Sequence, residues 1–236
     1  MEIAFIITKN LTHERRIKLV ILFVILTLII ALSIEHIIAK QRKSATVSLV
    51  SDIPVFDKSS VYAPSGYLVS NYHTWAHPED KAVKVGIDNF AVKALGNIFI
   101  KYIANPGESV KKGDTIIKAE VHGQQINFKS PLSGTIKTIN NLLFNNTVKD
   151  AYGKDWGLII ENEDNKEGLM SGNQAQHWLK KEMRRLKDFL AESSFAPEAV
   201  GVTMYDGGNI VEGVLSSLNE RVIPDFEEQF LNGNNE

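Results

Sequence analysis

Hydrophobic positions along the chain fall into three patterns. The first is one block, Ile17–Ala39. From Leu19 to Ile34 no charge interrupts it, which at about 1.5 Å per residue covers roughly 24 Å of a roughly 30 Å hydrocarbon core. Lys18 and Glu35 stand near its ends, where long side chains reach the interface. No small-x-small cleavage pattern follows; Lys40, Arg42 and Lys43 do. The block predicts a retained single-pass transmembrane helix, with a cleaved signal peptide as the alternative. Lys9, Arg15, Arg16 and Lys18 before it nearly balance the basic residues after it, so the positive-inside rule sets no clear orientation.

The second pattern is alternation. Strands are predicted at Tyr67–Val69, Thr74–Ala76, Ala82–Ile87, Ile98–Ile103, Thr115–Val121, Ile126–Phe128, Gly134–Ile139 and Gly157–Ile160. Pro78-Glu79-Asp80, Asn105-Pro106-Gly107, Lys112-Gly113-Asp114 and Tyr152-Gly153-Lys154-Asp155 supply turns between them. Short strands at this spacing point to a small sandwich or barrel. One short helix interrupts them: Asp88 caps it, Phe90, Ala91, Ala94 and Leu95 form its face, and Gly96 ends it. Within this region Glu120–Gly134 reads as a hairpin with a tip of His122-Gly123-Gln124-Gln125.

The third pattern has helical period. Across Ser171–Glu192, Ala175, Trp178, Leu179, Met183, Leu186 and Leu190 share a face, and Ser171 with Gln174 fits a capping box. Lys180, Lys181, Arg184, Arg185 and Lys187 make much of the remainder basic. Such a helix either packs on the β domain with a solvated basic face or lies on anionic lipid headgroups. Gly201–Val214 predicts another hairpin around Asp206-Gly207-Gly208, and Pro224–Leu231 a last short helix. The chain thus divides into a tail (1–16), an anchor (17–39), a polar linker (40–64) in which Asp52–Phe56 could add an edge strand, a mainly β domain (65–167) and a C-terminal extension of amphipathic helix plus hairpin (168–236).

Charge and composition narrow the function. The net charge of -2 over 236 residues gives no case for nucleic acid. With no cysteine, disulfides, thiolate metal sites and a cysteine nucleophile are excluded. His73 and His77, with Glu79 and Asp80 nearby, suggest a metal site only weakly, because the i,i+4 spacing suits a helix and this segment reads as strand and turn. Trp75, Trp156 and Trp178 fit core positions. No phosphate loop, dinucleotide fingerprint or nucleophile–base–orienter set is present, so an enzyme is not expected, and neither metal nor cofactor is.

Several segments together resemble the glycine cleavage system H-protein family. They are His73-Thr74-Trp75, Val85-Gly86-Ile87-Asp88-Asn89-Phe90-Ala91, Leu95-Gly96-Asn97-Ile98, Pro106 through Asp114, Ser130-Pro131-Leu132-Ser133-Gly134 and Tyr152 through Trp156. The resemblance covers about Tyr67–Glu161, and implies a lipoyl-domain-like barrel-sandwich. It also implies a lipoyl group on one lysine at a hairpin tip, within the pattern Glu-Ser-Val-Lys-Ala. Aligned without a gap from Glu120 to Pro131-Leu132-Ser133-Gly134, the lysine position is Gly123. The leading glutamate is kept and the amine to be acylated is gone.

The expectation is therefore a membrane-anchored, non-lipoylated H-protein-like scaffold whose hairpin (Glu120, His122, Gly123, Gln124, Gln125) meets protein partners, a membrane redox complex being one such partner suggested by anchor and fold. The alternatives are a carrier using Lys118 or Lys129, or a lipid- or small-ligand-binding module built on Trp178–Phe189. Localisation is expected at the inner membrane. The cytoplasmic partners of H-proteins favour a cytoplasmic domain, and Arg15-Arg16-Lys18 argue mildly the other way.

Overall fold

The computed structural model describes residues 55–144, 146–161, 166–193, 204–205, 209–218 and 221–233, together with Thr27 and Ser33. Met1–Ile53 and Pro54–Glu236 form separate compact units. In the first, Thr27 and Ser33 are helical and exposed. The rest of the expected anchor Ile17–Ala39 lies outside the described residues, among which no helix is long and apolar enough to cross a membrane.

The second unit is built mainly from short antiparallel strands. In chain order they are β1 (Val55–Phe56), β2 (Leu68–Val69), β3 (Thr74–Glu79), β4 (Ala82–Ile87), the helix α1 (Asn89–Leu95), β5 (Phe99–Ile103), β6 (Ser109–Val110), β7 (Thr115–Val121), β8 (Gln124–Lys129), β9 (Gly134–Ile139) and β10 (Leu158–Glu161). There follow the helix α2 (Gly172–Ser193), β11 (Met204–Tyr205), β12 (Asn209–Val211) and the helix α3 (Val222–Phe226), which continues as a π-helical turn, Glu227–Leu231. The strands form sheets of order β2-β3-β4-β10-β9-β6, β5-β7-β8 and β1-β12-β11.

Alternation explains the inner faces. Ile117, Ala119 and Val121 of β7 are buried, as are Ile126 and Phe128 of β8, and the residues between them face outward or sit at the boundary. Asp88 Oδ1 accepts the amide of Ala91 at 2.9 Å, which fixes the start of α1. Gly86 is needed for a close approach: a Cβ there would lie 2.5 Å from the Trp75 ring. That buried indole donates to the carbonyls of Ile87 at 3.0 Å and Ala151 at 2.8 Å, tying β4 to the loop before β10.

Several expected bounds move. β3 runs past Ala76 through Pro78 to Glu79, and the turn falls at Asp80, whose φ is +46°. β2 pairs only with Trp75 and Ala76, so beyond that point β3 is an edge, where a proline's missing donor costs no ladder bond. β6 was not expected; at two residues it is too short to alternate, and it exists by pairing with Thr135 and Gly134. Trp156 is only partly buried and lies under the Lys84 ammonium, 5.8 Å from it, rather than in the core. Of the expected edge strand at Asp52–Phe56, Val55–Phe56 is β1, which pairs with β12 rather than with the main sheets, and the rest lies outside the described residues.

The C-terminal extension shares the core of the β domain. Leu179, Met183, Leu186 and Leu190 of α2 are fully buried in the same apolar cluster as the strands. Phe226 and Phe230 stack on each other at 4.7 Å and meet Phe90 of α1 at 6.5 and 6.0 Å. The apolar stripe of α2 therefore faces protein, which is the packed alternative of the two that its sequence allowed.

Candidate interaction hairpin

β7 and β8 pair from Thr115 opposite Lys129 to Val121 opposite Gln124. Only His122 and Gly123 join them, with φ of +50° and +78°. Two successive positive φ values are those of a type I′ turn, whose twist matches that of the flanking strands. The tip is thus narrower than the expected His122-Gly123-Gln124-Gln125. Gln124 and Gln125 belong to β8, opposite Val121 and Glu120, because the primed turn closes the hairpin with two residues.

His122 and Gly123 are exposed, and a Cβ built on Gly123 would meet nothing within 4 Å. Glycine here answers to the backbone torsion and not to crowding. Glu120 is half exposed and pairs with the Lys101 ammonium at 3.2 Å. No primary amine stands at the tip. Lys118 lies on β7 with its ammonium 5.6 Å from the Tyr102 ring, and Lys129 ends β8 with its ammonium 5.8 Å from the Tyr72 ring. At about 3.3 Å per residue they are roughly 16 and 20 Å along the strands from Gly123.

The hairpin has one closed edge and one exposed face. β8 is the outer strand of its sheet, and Glu227 of the extension closes it. The Glu227 Oε1 atom accepts the Asn127 amide at 3.1 Å and the Asn127 side-chain amide at 2.7 Å. This satisfies an edge donor and blocks strand addition there. On the far side of the sheet Phe99, in register with Glu120, is 40% exposed, and Leu142 beyond β9 is 78% exposed. Phe99 bridges to Thr147, which lines a shallow groove with Leu142. Phe99 leaves a large apolar side chain in water beside Glu120, near the tip, where it suits contact with another protein.

The second feature of the domain is a buried charge cluster. His73, at φ +54°, is completely buried, stacked on Phe90 at 4.4 Å and tilted against Trp178 at 4.8 Å. Its Nδ1 lies 2.8 Å from Asp88 Oδ2, and its Nε2 lies 3.6 Å from Glu182 Oε2, too long for a hydrogen bond but close for charge. Glu182 also accepts from Arg185 at 2.6 Å; Arg185 donates to the Gln229 carbonyl at 3.0 Å and lies 4.7 Å over Phe230. Burial alone would lower the His73 pKa, but Asp88 and Glu182 outweigh it and raise it to about 9. Burial likewise pushes Glu182 up, and His73 and Arg185 hold it below the usual carboxylate range. The cluster joins α1, α2 and the C-terminal segment to the β domain.

The histidine pair considered from sequence separates. His77 stacks on Tyr67 at 4.5 Å with Nδ1 3.1 Å from the Gly66 carbonyl, away from the buried cluster. Among the described residues no group of three or more His, Asp or Glu side chains is placed to hold a metal. Sequence reasoning missed Glu182 altogether. Its signal was a carboxylate four residues after Trp178 and three after Leu179, inside the apolar stripe of an amphipathic helix.

Similarity to known proteins follows the same region. The family profile described as glycine cleavage H-protein matches residues 67–182, running on from the β domain into α2 as far as Glu182. The glycine cleavage system H protein of Coprothermobacter proteolyticus is 33% identical over 103 residues, covering 42% of this chain and 81% of that protein. The glycine cleavage system H protein of Oceanobacillus iheyensis is 31% identical over 107 residues, covering 44% of this chain and 85% of that protein. The crystal structure of the Mycobacterium marinum glycine cleavage system H protein aligns with a TM-score of 0.44 at 25% identity, covering 49% of this chain and 98% of that one.

Proposed function

We propose that this chain, which belongs to the glycine cleavage H-protein family, is a membrane-anchored, non-lipoylated member that serves as a non-catalytic docking subunit of a membrane-associated complex. One observation carries the reading: Gly123 occupies the hairpin turn where the family places its lipoyl lysine. A swinging arm needs a primary amine at an exposed tip. Lys118 and Lys129 stand well back along their strands and offer none there, which speaks against a carrier on either. What remains is a rigid protein surface: the two-residue tip, the Lys101–Glu120 pair and exposed Phe99.

Ile17–Ala39 would hold this surface at an inner membrane. Tethering raises the effective concentration of a membrane partner without adding contacts. A redox complex in that membrane is the kind of partner we favour, with the β domain on the cytoplasmic side.

The test is a photo-reactive amino acid placed at His122 of the full chain in its native membranes. One discrete cross-linked partner is expected, and the same partner from a probe at Gln125. Recovery of the chain in the soluble fraction, or no adduct from either site, would count against the docking role.

A further inference from the structure

We propose that the exposed face of α2 is a contact surface for anionic lipid headgroups, so that the folded domain lies against the bilayer in one orientation; the inference rests on the anchoring reading above. The stripe opposite the buried face of α2 carries His177, Lys180, Lys181 and Arg184, all exposed. Their spacing of three, four and seven residues brings them onto adjacent turns. Among the described residues the side chains of Lys180, Lys181 and Arg184 have no ion pair or hydrogen bond. Asp188 and Glu192, both exposed, are the acidic residues on the same stripe, and neither is paired with Arg184.

The two faces of this helix decide how it can bind. A typical amphipathic membrane helix inserts its apolar side. Here that side is committed to the core, through Leu179, Met183, Leu186 and Leu190. Only charge is left to bind with, so contact is with headgroups rather than acyl chains and is screened by salt. The cations of this stripe complement an anionic leaflet. The anchor of the reading above would hold the domain within reach of a bilayer, and that effective concentration makes the leaflet, rather than a soluble polyanion, the target of this face. Near an anionic leaflet each basic side chain strengthens attachment roughly fivefold, and because Asp188 and Glu192 offset two of the three cations the stripe as a whole gives roughly a fivefold gain.

The absence of cysteine makes a direct test clean. The full chain with His177→Cys is labelled with a fluorophore and incorporated into nanodiscs of phosphatidylcholine alone or with 30% phosphatidylglycerol. Thr138→Cys, on exposed β9, gives the reference. Acrylamide quenching at position 177 is expected to fall severalfold in the anionic discs at 50 mM salt, and to recover at 500 mM. The variant K180E/K181E/R184E should show no such protection. A chain that enters the discs but is quenched equally in both lipids, or is protected regardless of charge reversal, overturns the inference alone. So does a salt-sensitive complex with RNA at this face without any lipid dependence. A chain that does not enter the discs overturns the anchoring reading, and the inference with it.

Discussion

Gly123→Lys should give the hairpin a site at which lipoate can be attached. Incubated with a lipoate-attaching enzyme, lipoate and ATP, the natural chain is expected to gain no mass, and the variant to gain one lipoyl group on most molecules. The geometry supports so large a change. The tip is exposed, open space surrounds the Cβ position, and Glu120 stands three residues before it as in the family pattern. The opposing effect is torsional: a lysine at φ +78° costs about 1–2 kcal/mol. His122 already tolerates φ +50° in the same turn, and the paired strands on either side hold the hairpin closed. Intact-mass measurement reads the outcome. A variant that stays unmodified would mean that the register between this hairpin and the family pattern is wrong.

The buried cluster gives the second large effect, on stability. The folded pKa of His73, about 9, lies above its unfolded value of 6.5. The folded state therefore binds its proton more tightly, and the stabilisation is full below pH 6.5 and lost as pH rises through about 9. A shift of that size corresponds to about 3 kcal/mol. Glu182 is shifted the other way, so its contribution is present above its ordinary pKa of 4.5 and is lost as pH falls through the lowered folded value. Together the two groups contribute most between about pH 4.5 and 6.5. Chemical denaturation at pH 6.5 and pH 9 should show the loss, and His73→Gln should flatten the profile between those values. An unchanged slope in that variant would mean that His73 is not charged in the folded protein.

Much of the domain could be read from its residues because local chemistry and tertiary structure agree. Alternation through Ile117, Ala119 and Val121, then Ile126 and Phe128, placed both hairpin strands. Asp88 and Gly96 marked the ends of α1, and the apolar stripe of α2 marked its buried face. What escaped depends on neighbours distant in sequence. β3 could extend through Pro78 only because β2 stops short, and β6 is a strand only where β9 passes. His73 and Glu182 are 109 residues apart in sequence and meet because α2 packs against β2, next to the turn that carries His73, a pairing that no local pattern announces. The hairpin itself was legible from its alternation, though its tip is two residues rather than four. That difference follows from two consecutive positive φ values, which an Asn-Gly or Asp-Gly pair would have advertised more plainly than His122-Gly123 does.

The most direct measurement is the intact mass of the full chain purified from the cells that naturally produce it. The mass of the unmodified polypeptide is expected, with no lipoyl or other acyl group. A lipoyl adduct on the native chain, mapped by peptide analysis to Lys118, Lys129 or any other lysine, would contradict the docking-subunit account and make this protein a carrier.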